Sequence, residues 1–208
     1  MKHSFLINNR ILHPINVQKY KYVPKNKDEL KFIIENLFNN GETNLNCIDV
    51  SHITSMKELF LDISKKIKLQ NFDVSEWDVS NVVDMESMFH NCYNFNCDIS
   101  GWDVSNVTNM KMMFANCSKF NMPLNRWDVS NVENMTSMFY YCDEFNQYIG
   151  SWNISKVKYI SAMFYCCSNY DQDLSFWDLK RTSKHELIFS HCPISKEHQP
   201  LIMSGYIY

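Results

Sequence analysis

The apolar residues of this chain recur in columns that are 25 positions apart. Tryptophan marks the interval most clearly, because all five tryptophans of the protein lie in one column: Trp77, Trp102, Trp127, Trp152 and Trp177. A period of this length is typical of stacked supersecondary units, since so short a unit cannot bury its own apolar face. The pattern therefore predicts a repeat architecture.

Phenylalanine and cysteine form two further columns that never change. The phenylalanine column comprises Phe89, Phe114, Phe139, Phe164 and Phe189. The cysteine column comprises Cys92, Cys117, Cys142, Cys167 and Cys192. Valine and methionine columns precede them in most units, so that each unit has about nine inward positions, as a coil around a continuous core requires.

The spacing inside a unit predicts its secondary structure. Trp102 and Val104 lie on one side of the chain and Asp103 on the other, which indicates a short strand. From Val107 to Cys117 the apolar residues follow the spacing of one helical face, with Ser105 placed as an N-cap. We expect an α/β repeat solenoid with one short strand and one short helix or helical turn per 25-residue coil.

The repeats divide the chain into three parts. Residues 1–46 are predicted to form an N-terminal cap, with a hairpin-like segment around Asn8 and Asn9 and an amphipathic helix over 27–39 that starts after Asn26 and ends before Gly41. The repeat solenoid is predicted over 47–192, with units that start near 48, 77, 102, 127, 152 and 177. Residues 193–208 are expected to form a C-terminal tail or cap.

Charge and hydrophobicity narrow the possible partners. A net charge of −3 and an isoelectric point near 6.1 give no general attraction to nucleic acid or to anionic membranes. No apolar stretch has the length of a membrane span or of a secretory core. We expect a cytoplasmic or host-intracellular monomer with no nucleic-acid partner and no membrane insertion.

The sequence offers little reactive chemistry. The cysteine column is expected to be buried as small apolar side chains, whereas the off-register Cys47, Cys97 and Cys166 are candidates for exposed thiols. No C-x-x-C pair, phosphate loop or nucleophile motif occurs, and the histidines differ between units. We predict no catalytic residue, no cofactor and no metal site.

One polar column follows the tryptophans directly and comprises Asp78, Asp103, Asp128, Asn153 and Asp178. If the strands stack, these side chains stand about 4.8 Å apart and the row spans roughly 20 Å. Two interpretations are open. Each side chain caps the neighbouring turn through backbone amides, or the column is an acidic strip that recognises a basic partner.

The segment Trp127-Asp128-Val129-Ser130-Asn131-Val132, followed by the M-F-x-x-C-x-x-F spacing that begins at Met138, resembles the BspA-like leucine-rich repeat family. Pro24 to Leu30 also resembles the P-x-T-K-E-E-L segment that often precedes such repeats, and the similarity extends over roughly residues 20–192. The resemblance implies a leucine-rich-repeat-like right-handed solenoid. It also implies a surface role for members that carry secretion signals.

These observations predict a non-enzymatic protein–protein interaction module that binds an unknown protein through the repeated solenoid surface. One alternative is a cell-surface or virion-surface adhesin that is exported without a recognisable signal. Two others are an enzyme with an unrecognised site and a purely structural repeat product.

Overall fold

The computed structural model describes residues 20–201 and two short strands ahead of them. Strands β1 (Leu6–Ile7) and β2 (Arg10–Ile11) pair in antiparallel fashion, with Leu6 opposite Ile11. They lie in the stretch for which the sequence predicts a hairpin, but Asn8 and Asn9 between them lie outside the described residues. The division of the chain near residues 46 and 192 stays a prediction.

Helix α1 spans Lys27–Asn39 and is capped at both ends. The side chain of Asn26 accepts the amide of Glu29 at 3.0 Å, and the Glu29 carboxylate accepts the amide of Lys25 at 2.8 Å. These two bonds satisfy amides that have no partner within the helix. Gly41 follows the helix with φ of 79°, a left-handed conformation that glycine adopts without steric cost.

Helix α2 (Leu59–Ser64) belongs to the first rung of the stack, where the amide of Phe60 donates to the carbonyl of Met88 at 3.0 Å, and it packs against α1. Ion pairs join the two helices: Lys31 pairs with Asp62, and Lys66, just after α2, pairs with Glu35 at 2.6 Å. The ammonium group of Lys27 donates to the carbonyl of Lys57 at 3.0 Å. The apolar face of α1, which includes Leu30, Ile34 and Leu37, is buried.

Successive units are joined by parallel bridges between equivalent residues. The bridged column comprises Ser55, Asp84, Asn109, Asn134, Tyr159 and Lys184. Beyond the bridge, the amides of Met110, Met112 and Phe114 donate to carbonyls of the following unit at 2.9, 2.9 and 3.0 Å. Each unit therefore points a row of amide donors toward its C-terminal neighbour.

The spacing of Val107 to Cys117 predicts either a short helix or a helical turn. The structure has turns in this segment and no helix. Met113 donates to the carbonyl of Met110 at 3.1 Å, and Cys117 donates to that of Phe114 at 2.9 Å. A continuous helix does not form, because every second amide is bonded to the next unit. Met112 and Asn116 have φ of 54° and 62°, and equivalent non-glycine residues repeat this conformation in the other units.

The predicted strand at Trp102–Val104 is not found among the described residues. The bridge that pairs neighbouring units lies instead at Asn109, while Trp102 and Val107 end tight turns by donating to the carbonyls of Ile99 and Val104. Ser105 likewise caps no helix. Trp102 and Val104 alternate with Asp103 because both apolar side chains are buried in the core. The alternation does not indicate a hydrogen-bonded β-strand here.

The core consists of side-chain columns that run along the stack. Phe89, Phe114, Phe139 and Phe164 stack with ring centroids 5.6 Å apart. Each tryptophan is about 4–5% exposed, and the indoles of Trp102, Trp127 and Trp152 donate to backbone carbonyls that lie 28 positions earlier in the chain. Dispersion between these flat rings and the burial of the indole donors stabilise the contact between units.

An asparagine ladder follows the second aromatic column. Each side-chain oxygen accepts the amide of the equivalent residue in the next unit, and the column comprises Asn71, Asn96, Asn121 and Asn146. Asp171 takes the next position and accepts the amide of Ser195 at 2.8 Å. It also pairs with His198 at 2.8 Å, in a short 3₁₀ helix over Lys196–His198. The ladder thus ends in a carboxylate that holds the C-terminal segment.

Candidate interaction surfaces

The predicted acidic column makes a regular backbone contact. The side-chain oxygen of each residue accepts the amide two positions later, at 3.0–3.1 Å, in Asp78, Asp103, Asp128, Asn153 and Asp178. Hydrogen bonds from the hydroxyl and amide of Ser130 lower the pKa of Asp128 below its ordinary value. All five residues are exposed. The contacts give the column the turn-capping role that the sequence allows, and its use as a binding strip stays a prediction.

Asn153 shows whether the hydrogen bond of this column depends on the negative charge of aspartate. Its amide oxygen accepts the amide of Ser155 at 3.1 Å, which matches the bond between Asp103 and Ser105 at 3.0 Å. The turn therefore requires an oxygen acceptor and not a negative charge. Replacement of aspartate by asparagine can remove the charge while the turn is kept.

Four cysteines of the repeat column are buried, as the sequence predicts. The thiols of Cys117, Cys142 and Cys167 donate to backbone carbonyls of the preceding unit at 3.1, 2.9 and 2.8 Å. Burial raises the pKa of the Cys92 and Cys142 thiols well above the usual range for cysteine. These groups are neutral at physiological pH and act as packed side chains rather than nucleophiles.

Two predictions about the remaining cysteines are wrong. Cys97 is 7% exposed, although it lies outside the repeat column, and burial raises its pKa to about 11. It is buried because its thiol lies against the amide of Val74 and the carboxylate of Asp73. Cys192 is only half-buried, because it belongs to the last unit, and Cys47 and Cys166 are also half-buried. All eight cysteines lie in the described segment and none forms a disulfide.

The methionine columns and the histidines form no evident ligand site. Met85, Met88, Met110 and Met113 are fully buried between the units. Within residues 20–201, no group of three or more histidine, cysteine or acidic side chains has the geometry to hold a metal ion. His90 is half-buried, and burial together with Lys65 lowers its pKa.

A cluster of tyrosines lies on the outer surface of the later units. The rings of Tyr140 and Tyr165 stack at 5.0 Å with an angle of 12° between their planes. Tyr141 contacts both rings, at 4.7 and 5.9 Å, and His191 meets Tyr165 edge-on at 5.4 Å. Tyr141 is 40% exposed, and its hydrogen bond with Cys166 raises its pKa to about 12. We call these four ring-bearing residues the tyrosine cluster.

The sequence pattern does not reveal this cluster, because its members occupy columns that vary. The positions of Tyr140 and Tyr141 are Ala115 and Asn116 in the preceding unit. A signal exists in the sequence, since Tyr140 and Tyr165 share one column in consecutive units. This signal can be interpreted only once the side chains of the column are known to face outward, and the turn geometry shows that they do.

A second surface feature is a cleft beside the lysine-rich loop that follows α2. The cleft has a volume of about 540 Å³ and is lined on one side by Lys65, Lys66 and Lys68 and on the other by Asn91 and Tyr93, among others. Lys65 and Lys66 are engaged in ion pairs with Asp62 and Glu35. Their positive charge is thus largely compensated within the protein.

No helix among the described residues is long and apolar enough to cross a membrane. Over residues 29–142, and again over 100–200, the sequence matches the family described as Mycoplasma protein of unknown function, DUF285. The chain belongs to this family. No match is found among curated proteins or among solved structures.

The DUF285 match begins within α1 and reaches the last unit, so it includes both the helical cap and the tyrosine cluster. It agrees in part with the resemblance to BspA-like repeats, because the matched family is related to that group. The family description names no ligand and no reaction. Function has to be argued from the surface of this chain.

Proposed function

We propose that this DUF285 protein is a non-enzymatic interaction module of the BspA-like type, in which a right-handed, leucine-rich-repeat-like solenoid binds a protein partner through its outer surface. The in-register parallel bridges from Ser55 to Lys184 support the solenoid. The tyrosine cluster is the observation that carries the binding function. The acidic column is a second part of the same repeated surface.

The tyrosine cluster has the composition of a protein-binding surface. Tyrosine is enriched at the centre of protein interfaces, because its ring buries a large area and loses little conformational entropy. The stacked pair Tyr140 and Tyr165, together with Tyr141, presents several rings side by side. Contacts between the rings hold them before a partner arrives, which lowers the entropic cost of binding.

The repeat itself does not need these rings. The unit that starts at Trp102 forms the same turns and the same ladder with Ala115 and Asn116 at the positions of Tyr140 and Tyr141. Asn116 also has the same left-handed conformation as Tyr141, with φ of 62° against 55°. Aromatic residues in the later units therefore add exposed apolar area that folding does not require.

The experiment replaces the cluster by residues that the chain already tolerates. The variant Tyr140→Ala, Tyr141→Asn, Tyr165→Ala copies the Trp102 unit at these positions. A second variant, Asp103→Asn with Asp128→Asn, removes charge from the acidic column while it keeps the turn-capping oxygen. Tyr93→Ser is the matched control, because Tyr93 is 56% exposed and the next unit has Ser118 there.

Partners are captured from the source organism with the wild-type protein, and the affinity of the purified partner is then measured for each variant. We expect the tyrosine variant to weaken binding by about 100-fold, in line with the loss of aromatic hot spots. The control should bind normally. If the aspartate variant alone loses binding, the acidic column is the recognition strip. Equal affinity for all variants would contradict a binding role for either surface.

A further inference from the structure

In the segment that follows the bridged residue, the hydrogen bonds between units have one direction, whereas the amides just before that residue, such as those of Thr108 and Glu133, donate to the preceding unit. In the unit that starts at Trp152, the amides of Ile160, Ala162, Phe164 and Cys166 donate to carbonyls of the last unit at 2.9–3.0 Å. The earlier units repeat the arrangement, with alternate amides donating toward the C-terminal neighbour. In this segment each rung thus supplies carbonyls on its N-terminal side and amide donors on its C-terminal side. The last rung has to present donors.

Three of those donors have no hydrogen-bond partner within residues 20–201. They are the backbone amides of Leu187, Phe189 and His191, which correspond to the paired amides of Ala162, Phe164 and Cys166. Leu187 and His191 keep φ of 58° and 56°, the values found in the interior units. The rung is therefore already shaped for one more neighbour. We call these three amides the donor edge.

Two copies cannot pair donor edge to donor edge, because a backbone N–H group does not accept a hydrogen bond from another N–H group. At the opposite end of the stack, α1 packs against α2, which belongs to the first rung, and Lys27 donates to the carbonyl of Lys57. Neither end-to-end arrangement of two copies gives a matching ladder. The edge requires a different segment that offers a row of carbonyls.

Charge around the donor edge indicates the chemistry of that segment. Lys180, Arg181 and Lys184 are exposed in the last unit. Interior units have serine at the first position and a bridge residue that is not basic at the third, while the second is asparagine in three units and Lys156 in the unit before the last. Two acidic side chains of this unit already make contacts within the protein: Glu186 accepts the hydroxyl of Ser161 at 2.7 Å, and Asp178 accepts the backbone amide of Lys180 at 3.0 Å. Leu187 is 62% exposed and offers an apolar contact beside the amides. The edge is thus basic, with one apolar anchor.

We propose that the donor edge binds an extended acidic segment of a partner protein, which pairs in parallel as an additional rung. Its carbonyls accept the amides of Leu187, Phe189 and His191, and its acidic side chains meet the lysines and the arginine. The inference goes beyond the tyrosine cluster, because it uses backbone donors at the end of the stack rather than rings on its side. His191 borders both surfaces.

The test uses the full chain labelled with ¹⁵N and two short probe peptides, one that alternates glutamate with valine and one that alternates lysine with valine. Amide shifts and hydrogen exchange are followed by NMR. In the free protein, we expect the three edge amides to exchange much faster than those of Phe164 and Cys166. The acidic peptide should shift and protect these amides, while the basic peptide should leave them unchanged.

Variants separate this site from the tyrosine cluster. Lys180→Glu with Arg181→Glu should weaken binding of the acidic peptide by about tenfold, the size expected for two exposed charge contacts. Lys68→Glu, at the other end of the stack, is the matched control and should bind normally. The variant with Tyr140→Ala and Tyr165→Ala should also keep its affinity, so that failure here and failure of the tyrosine cluster are distinguishable.

Three outcomes would overturn the proposal. Protection of the edge amides in the free monomer would mean that another part of the chain covers them. Concentration-dependent protection would mean that a second copy does. Equal binding of the two peptides, or unchanged edge-amide shifts with both peptides, would exclude an acidic partner at this site.

Discussion

The two ends of the stack are covered in different ways, although the units between them are alike. At the N-terminal end, α1 packs against α2, which belongs to the first rung, and Lys27 donates to the carbonyl of Lys57 at 3.0 Å. At the C-terminal end, Asp171 holds the segment around Ser195 and His198. The amides of the donor edge have no such cover within the described residues.

This difference follows from the polarity of the ladder. In the segment after the bridged residue all inter-unit amides point toward the C-terminal neighbour, so this part of the stack has carbonyls at its N-terminal end and amide donors at its C-terminal end. A cationic side chain can close the first kind of end, and a carboxylate can close the second. Lys27 donates to a carbonyl at the N-terminal end. The asparagine ladder has the opposite direction, and its last acceptor, Asp171, accepts the amide of Ser195 at the C-terminal end.

The largest expected difference between the ends concerns the phenylalanine column. Phe60 is fully buried and lies 4.3 Å from Phe72 and 5.3 Å from Phe89, whereas Phe189 is 8% exposed and stacks, within the described residues, on Phe164 alone. Phe60→Ala should lower the free energy of unfolding by about 3–5 kcal/mol, and Phe189→Ala by about 2 kcal/mol. Urea unfolding measures both.

Equal losses for the two phenylalanine variants would contradict the comparison, because they would mean that the last rung is packed as fully as the first. The slope of the transition serves as a control. A shallower slope in either variant would indicate that the stack no longer unfolds in one cooperative step, in which case the midpoints cannot be compared directly.

A smaller effect is expected from the lysine that closes the N-terminal end. Lys27→Met keeps most of the apolar stem but removes the donor to the carbonyl of Lys57, so unfolding should cost about 1 kcal/mol less. Lys25→Met is the matched control, since Lys25 is exposed and contacts Glu29 through its backbone amide. The same urea titration compares the two. If both variants lose equally, the contact with Lys57 contributes nothing specific.

The sequence allows the buried columns and the N-terminal helix to be predicted, but not the local backbone of the units. Helix α1 has the limits that Asn26, Gly41 and its apolar spacing indicate. The turn segment was harder, because Met112 and Asn116 adopt left-handed conformations without glycine. A series of turns places Met110, Met113 and Cys117 inward at intervals of three and four, which is also the spacing of a helix.

The surfaces were less predictable than the core, for a physical reason. Repetition records the residues that packing requires, and Tyr141 and Leu187 stand in columns that packing leaves free. Cys97 shows the reverse case, since it is buried by contacts with Asp73 and Val74 that occur once in the chain. Residues that repeat every 25 positions therefore identify the core of this stack. Residues that depart from the repeat identify its candidate binding sites.

The smallest expected effect is a pH dependence at the C-terminal end. Hydrogen bonds from Ser195 and His198 lower the pKa of Asp171, and Asp171 raises the pKa of His198. The first contribution is lost as the pH falls through the lowered value, and the second is lost as the pH rises through the raised value. The contact is therefore complete between the ordinary values of the two groups, 3.8 and 6.5.

Hydrogen exchange at the Ser195 amide, corrected for its intrinsic rate, measures the pH dependence of this contact. We expect a severalfold gain of protection at about pH 5 relative to about pH 8. Asp171→Asn should remove that gain, because asparagine can accept the amide of Ser195, as Asn146 accepts that of Asp171, but has no charge to stabilise the protonated His198. At the other end, Lys27 donates to a backbone carbonyl and no carboxylate–imidazole pair takes part in that contact, so α1 amides should show no matching change. A parallel change in α1 would mean that the pH acts on the whole stack and not on its C-terminal end.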